Sequence, residues 1–210
     1  MIGSLKSALA VPALYQLYQE AGGFFGARIK AIEALLPIRL GMRVIDIGCG
    51  PGHIVQHLPR GIDYVGFDID APSIAYARRR FGHLGRFCDT LFDAQAARAC
   101  GPADVVMMNG VLHHLDDATA GETLATIAAA LAPGGVLFTL DGVYRPGQNA
   151  FGKWLLDHDR GEYVRDSAGY RGLLDARFAD VAMHLREDLS RLPYSFAIGI
   201  ARDPRSGGVA

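Results

Sequence analysis

The sequence predicts an α/β fold: a mostly parallel sheet of seven strands, helices on both faces, an antiparallel last strand and extra helices at the amino terminus. Three observations carry this prediction. Short β-rich runs alternate with helical stretches from Met42 onward, the first of these runs are almost continuously apolar, and glycines gather where the runs end. Alternation of strand and helix is the pattern of a parallel sheet whose crossovers lie on its two faces. Unbroken apolarity is what a strand buried on both faces requires. Glycine-rich strand ends are where ligand loops form in such sheets.

Taken in order, residues 4–20 and 24–36 read as helices separated by Gly22 and Gly23. Leu14, Leu17 and Tyr18 recur at helical spacing in the first, and Ile29, Ile32, Leu35 and Leu36 in the second. Strands follow at 42–47, 62–67, 104–108, 135–141, 178–184 and 194–201, with a weaker one at 86–88. Helices are expected at 52–58, 71–81, 93–100, 118–131 and 167–176. A Pro-containing link rather than a helix joins the last two strands, which favours an antiparallel end pair. The division is therefore 1–40 for an N-terminal helical segment, 41–203 for the α/β domain and 204–210 for a frayed tail.

Composition narrows the function. With 210 residues the chain can build a sizeable single core without disulfide or metal staples. Lys plus Arg number 21 against 22 Asp plus Glu, a net charge of −1, so the basic excess of a nucleic-acid binder is missing. Cys49, Cys88 and Cys100 are odd in number and form no Cys-x-x-Cys pair, which fits a reducing cytosol. Apolar runs fall short of a membrane span. The stretch from Ser7 to Leu17 is interrupted by Pro12, Tyr15 and Gln16 and lacks the basic start of a signal peptide. A cytoplasmic location is the expectation. The 26 glycines exceed the usual share of about 7% and ask for a cause.

The strongest local signal is VIDIGCGPG, Val44 to Gly52, an apolar strand that ends in Asp46, Gly48, Gly50 and Gly52. Glycines allow a sharp turn and a close approach of the backbone to a ligand. Pro51 suits the first turn of a following helix. A dinucleotide-binding loop would need glycine where His53 stands. An acid two residues before the first glycine is unfavourable beside a pyrophosphate and favourable beside a cation.

On these residues the chain resembles the class I S-adenosylmethionine-dependent methyltransferases, whose first motif is an acid followed by three alternate glycines. Asp46, Gly48, Gly50 and Gly52 match it, with Cys49 inside the loop. The resemblance implies a Rossmann-like fold, S-adenosylmethionine as methyl donor and S-adenosylhomocysteine as product; no metal is expected, because no acid cluster clearly builds a magnesium site. It extends over five ordered motifs from Met42 to about Asp141. Asp68, at the end of the second strand with Ile69 beside it, matches the ribose-binding acid. Asp70 reads as the cap of the next helix. Asp89, with the backbone of Thr90, matches the adenine-binding position, and Asp93 is a weaker competitor for it. Asn109 and Gly110 end the fourth strand at the ligand edge, and Pro133-Gly134-Gly135 matches an architectural turn before the fifth. Residues 1–40 would form a lid, with Tyr15 and Tyr18 one helical turn apart as substrate contacts.

His113 and His114 follow the fourth strand. One of them can act as a general base for a hydroxyl or amine, and the expectation favours His114. Methyl transfer from a sulfonium does not always need a base, so alignment in a dry pocket is the alternative. Other chemistry-bearing clusters read as structural. His53 and His57 have the spacing of a metal pair but no third ligand. Arg78–Arg80 and the charged run Asp157–Glu162 read as solvated faces, and Cys49 lacks an activating neighbour. The expected activity is methyl transfer to an oxygen or nitrogen of a small-molecule acceptor. The rivals are a non-catalytic S-adenosylmethionine-binding partner protein, an NAD-type oxidoreductase, and methyl transfer to a macromolecule such as a protein or glycan.

Overall fold

A computed structural model describes residues 22–158 and 161–205. Seven strands form one sheet in the order β3-β2-β1-β4-β5-β7-β6. They are β1 (Arg43–Ile47), β2 (Asp63–Phe67), β3 (Arg86–Cys88), β4 (Ala103–Asn109), β5 (Leu131–Gly142), β6 (Phe178–Arg186) and β7 (Phe196–Pro204). The first five run parallel, whereas β7 lies antiparallel between β5 and β6. The sheet class and the antiparallel last strand agree with the sequence prediction. The order reverses between β1 and β4, and ligands bind outside strand carboxyl ends at such a switch point.

Period-two alternation divides the core between the faces. Val44, Val105, Met107 and Phe138 point to one side, where they meet α1 (Phe24–Leu35), α2 (Ala71–Phe81) and α5 (Ala150–Asp157) through Ala27, Ala31, Ile74, Ala77, Leu155 and Leu156. Ile45, Ile47, Val106 and Met108 point to the other. There they pack on α4 (Asp117–Ala130) and α6 (Ser167–Asp175), with α3 (Ala94–Cys100) beside them.

Local chemistry fixes the helix ends. Asp70, Asp93, Asp116 and Asp166 each accept from a backbone N–H three residues on, at 2.7–3.1 Å, and Asn149 caps α5. Each cap contributes about 1 kcal/mol. Pro37 stops α1 by forcing Leu36 into extended geometry.

Four details depart from the sequence expectation. Residues 53–57 form a 3-10 turn, not an α-helix. Helix α5 was not expected, because its eight residues with Gly152 inside are too few to display a period. The Pro133–Gly135 turn is a bulge within β5, where Ala103 pairs with Leu131 but Val105 with Val136. Arg205, expected to fray, donates to Asp175 and Phe178 carbonyls. The helix expected at 4–20, including Tyr15 and Tyr18, lies outside the described residues. Among those described, no helix is long and apolar enough to cross a membrane.

Candidate active site

The carboxyl ends of β1 and β4 meet at the switch point and bring two buried polar side chains together. Asp46 is fully buried and pairs in register with Gly66 of β2 and Met107 of β4. Its Oδ2 accepts from the Tyr64 hydroxyl at 2.8 Å. Its Oδ1 makes no close hydrogen bond among the described residues, and neither polar atom of Asn109 does, although the Asn109 amide lies near enough to act on the carboxyl. Leaving a buried polar atom unpaired costs about 1–3 kcal/mol, so this edge is built for a polar ligand. Burial pushes the Asp46 carboxyl up to about 7, against the pull of Tyr64, Asn109 and the Arg28 guanidinium.

The loop after β1 needs its glycines at two places above all. Gly48 has φ 72°, and a Cβ there would fall on the Val111 side chain. Gly52 has φ 76°, and its Cβ would sit 2.7 Å from the Phe87 ring. L-residues reach such φ only with strain. Between them the Gly50 N–H donates to Asp68 Oδ2 at 2.7 Å, while Asp68 Oδ1 accepts from Asp70 N at 2.8 Å. Asp68 therefore ties the glycine loop to the end of β2 and, as a carboxylate, retains lone pairs for two more donors. Cys49 packs where a side chain at Gly66 would stand, and burial raises its thiol far above the ordinary range, which removes it as a nucleophile.

At the β2 and β3 ends, Ile69 and Leu91 are 71% and 70% exposed. Apolar side chains held in the open beside an acidic edge offer faces for a flat ring. Asp89 is exposed and its Oδ1 takes a hydrogen bond from Arg78 Nη2 at 2.8 Å, which holds its carboxyl below the usual range. Arg78 also donates to the Phe87 carbonyl at 2.9 Å, so one guanidinium ties Asp89 to β3. Thr90 is exposed beside it. Asp93 is committed to capping α3.

Beyond Gly110, whose φ is 75°, the chain makes a 3-10 turn over Leu112–His114. The two histidines part company there. His114 is exposed, while His113 is buried and its Nδ1 lies 2.7 Å from Asp141 Oδ1 at the end of β5. The same carboxylate oxygen accepts from the His113 backbone N–H at 3.2 Å. A carboxylate partner accepts, so this contact favours a proton on Nδ1 of the His113 ring. Gly110 and Gly161 flank the ring, and a Cβ at Gly161 would collide with Cδ2 next to Nε2. The sequence favours His114 over His113 as the base; of the two, His113 is the one set against a carboxylate, and His114 is exposed.

Two residues escaped the sequence reading. Arg28 of α1 places Nη2 about 3.3 Å from where a Gly110 Cβ would be, and its charge acts on Asp46. Tyr64 is the donor to Asp46. Neither belongs to a motif: Arg28 lies upstream of every recognisable one, and Tyr64 reads only as a strand residue. His53 and His57 pack edge-on to Phe25, seating α1. No group of three metal-ligating side chains occurs among the described residues.

The arrangement brings together Arg28, two buried acids (Asp46 and Asp141), the amide of Asn109 and apolar flanks at Ile69 and Leu91. It suits a ligand with an amino-acid end and a flat ring. A methyltransferase-domain family matches residues 23–170. An uncharacterized methyltransferase of Mycobacterium bovis is 34% identical over 110 residues, 50% of this chain and 53% of that protein. A ubiquinone biosynthesis O-methyltransferase of a Caulobacter species is 33% identical over 101 residues, 46% of this chain and 39% of that one. The chain thus spans about half or less of the curated relatives it matches. The solved plantazolicin methyltransferase, in complex with an analogue and S-adenosylhomocysteine, shares the fold with a TM-score of 0.66 at 14% identity, covering 95% of this chain and 94% of that one.

Proposed function

From the premise that the chain belongs to the methyltransferase-domain family, we propose that it moves a methyl group from S-adenosylmethionine to an oxygen or nitrogen of a small-molecule acceptor. The observation that carries this reading is the buried His113–Asp141 pair on the same sheet edge as the buried polar atoms of Asp46 and Asn109. When bound, the donor supplies an activated methyl on a sulfonium. Asp46 and Asn109 meet the positive amino-acid end, Arg28 the carboxylate, Asp68 the ribose hydroxyls, and Asp89 with the Thr90 backbone the adenine edge between Ile69 and Leu91. Asp46 is held near neutrality by burial, and a cationic ligand beside it draws off its proton.

His113 then takes the acceptor's proton while Asp141 stabilises the ring cation through Nδ1. The buried pair excludes water from that proton transfer. The name of the Caulobacter relative supports an oxygen acceptor. The NAD-type alternative is disfavoured by Asp46 and by His53 in place of a third fingerprint glycine.

The test has two steps. Calorimetry should show S-adenosylhomocysteine binding and no NAD binding. A screen of phenols, carboxylates and amines, followed by release of S-adenosylhomocysteine, should find turnover that His113→Asn lowers about 100-fold. Binding without turnover on any class would favour the non-catalytic reading.

A further inference from the structure

We propose that Arg165 is a positioning residue for the reaction, setting the His113 ring against Asp141; this rests on the reading of His113 as the base. Arg165 stands between α5 and α6, outside every motif the sequence displays, yet its side chain is only 12% exposed. Its guanidinium closes on the turn that carries His113. Nη1 donates to the carbonyls of Leu112 at 2.9 Å and Tyr163 at 3.0 Å. Nη2 donates to Leu115 O at 2.7 Å and to Asp117 Oδ1 at 2.7 Å, which Nε also reaches at 3.0 Å. The carbonyls at the first residue of the 3-10 turn and just past its last are thus gripped by one planar group.

The main chain of the same residue is tied to the other half of the pair. Tyr144 N donates to Arg165 O at 3.2 Å, and Tyr144 bridges Asp166 in parallel. The Tyr170 hydroxyl accepts from Arg165 N at 3.4 Å and donates to the carbonyl of Gly142, the residue after Asp141, at 3.0 Å. The Tyr163 N–H donates to His113 O at 2.9 Å from the same segment. One residue therefore links the turn bearing His113, through its side chain, to the strand end bearing Asp141, through its backbone.

The fork geometry matters more than the charge. Asp117 is 82% exposed, so the ion pair alone contributes little. The three carbonyls are shared between two nitrogens of the guanidinium, Leu112 and Tyr163 on Nη1 and Leu115 on Nη2, a spread that a point-like ammonium cannot reproduce. Positioning to a fraction of an ångström is what a proton transfer at hydrogen-bond distance demands.

The experiment follows the imidazole nitrogens of histidine-labelled chain by NMR, saturated with S-adenosylhomocysteine, with His113→Asn identifying the His113 signals. Wild type should show His113 locked as the Nδ1–H tautomer. Arg165→Gln and Arg165→Lys should both give the mixed tautomers of Asp141→Asn, with S-adenosylhomocysteine affinity changed less than about twofold. Asp117→Asn, which removes only the exposed partner, should resemble wild type. An unaltered His113 signature in either folded Arg165 variant, or failure of both to fold, would overturn the proposal and make Arg165 a structural staple. A wild type lacking the Nδ1–H signature would instead remove the base reading, and the proposal with it.

Discussion

His113 and Asp141 stand 28 residues apart in sequence and meet at 2.7 Å, the one from a 3-10 turn after β4 and the other from the end of β5. Their junction lies where two adjacent parallel strands deliver their carboxyl ends, Met108 pairing with Thr139 and Asn109 with Leu140. The register of β4 on β5 therefore sets the reach of the histidine. Asp141→Asn keeps an acceptor oxygen and the packing but removes the charge that favours the Nδ1–H tautomer. Turnover should fall about 100-fold with S-adenosylhomocysteine affinity unchanged, as single-turnover rates and calorimetry can establish together.

Among the described residues Arg28 is the cation that acts on Asp46, and its replacement should be felt in binding. Arg28→Met keeps the stem that packs in α1 and removes the charge-assisted hydrogen bonds to a carboxylate. Affinity for S-adenosylhomocysteine should weaken by about 1.5–3 kcal/mol. Decarboxylated S-adenosylmethionine should bind the variant and the wild type alike. Equal losses for both ligands would show that Arg28 acts only on the fold.

Asp46 makes both stability and binding depend on pH. Its folded-state value, about 7, lies above the ordinary 3.8. Between these values the folded state binds the extra proton, so the stability contributed is full below about 3.8 and is lost as pH rises through about 7. Asp46→Asn should therefore be more stable than wild type at pH 8 and similar at pH 4, as thermal melts will read out. A cationic ligand favours the charged carboxylate, so binding should release a proton and tighten as pH rises from 6 to 8. Calorimetry in buffers of different ionisation enthalpy measures that proton directly.

The Gly48–Val111 contact gives a packing test. Gly48→Ala combines an unfavourable φ, costing about 1–2 kcal/mol, with overlap on Val111. Adding Val111→Ala should recover the overlap but not the backbone strain. The double variant should melt between wild type and Gly48→Ala. A double variant as unstable as the single one would show that the loop resists for another reason.

Much of this site was legible because its parts are local. Asp46, Gly48, Gly50, Gly52 and Asp68 carry their message in spacing, since a loop at a strand end is made of consecutive residues. Asp70 was readable as a cap for the same reason. The rest depends on contacts that spacing does not encode. His113 and His114 are neighbours of one type, and only a carboxylate from another strand tells them apart. Arg28 gains its role from the docking of α1, which Ala27 and Ala31 accomplish by being small and buried. Helix α5 was missed because an eight-residue element held by Asn149 and by Leu155 and Leu156 in the core is stabilised by tertiary burial, not by a visible period.

The central claim is that the β1–β4 edge holds the methyl donor with His113 beside the reacting atom. A crystal structure of the chain with S-adenosylhomocysteine tests it most directly. The amino-acid end should lie against Asp46, Asn109 and Arg28, the ribose on Asp68, and the sulfur should face the His113 side of the edge. Product bound away from this edge, or with its sulfur turned from His113, would contradict the account.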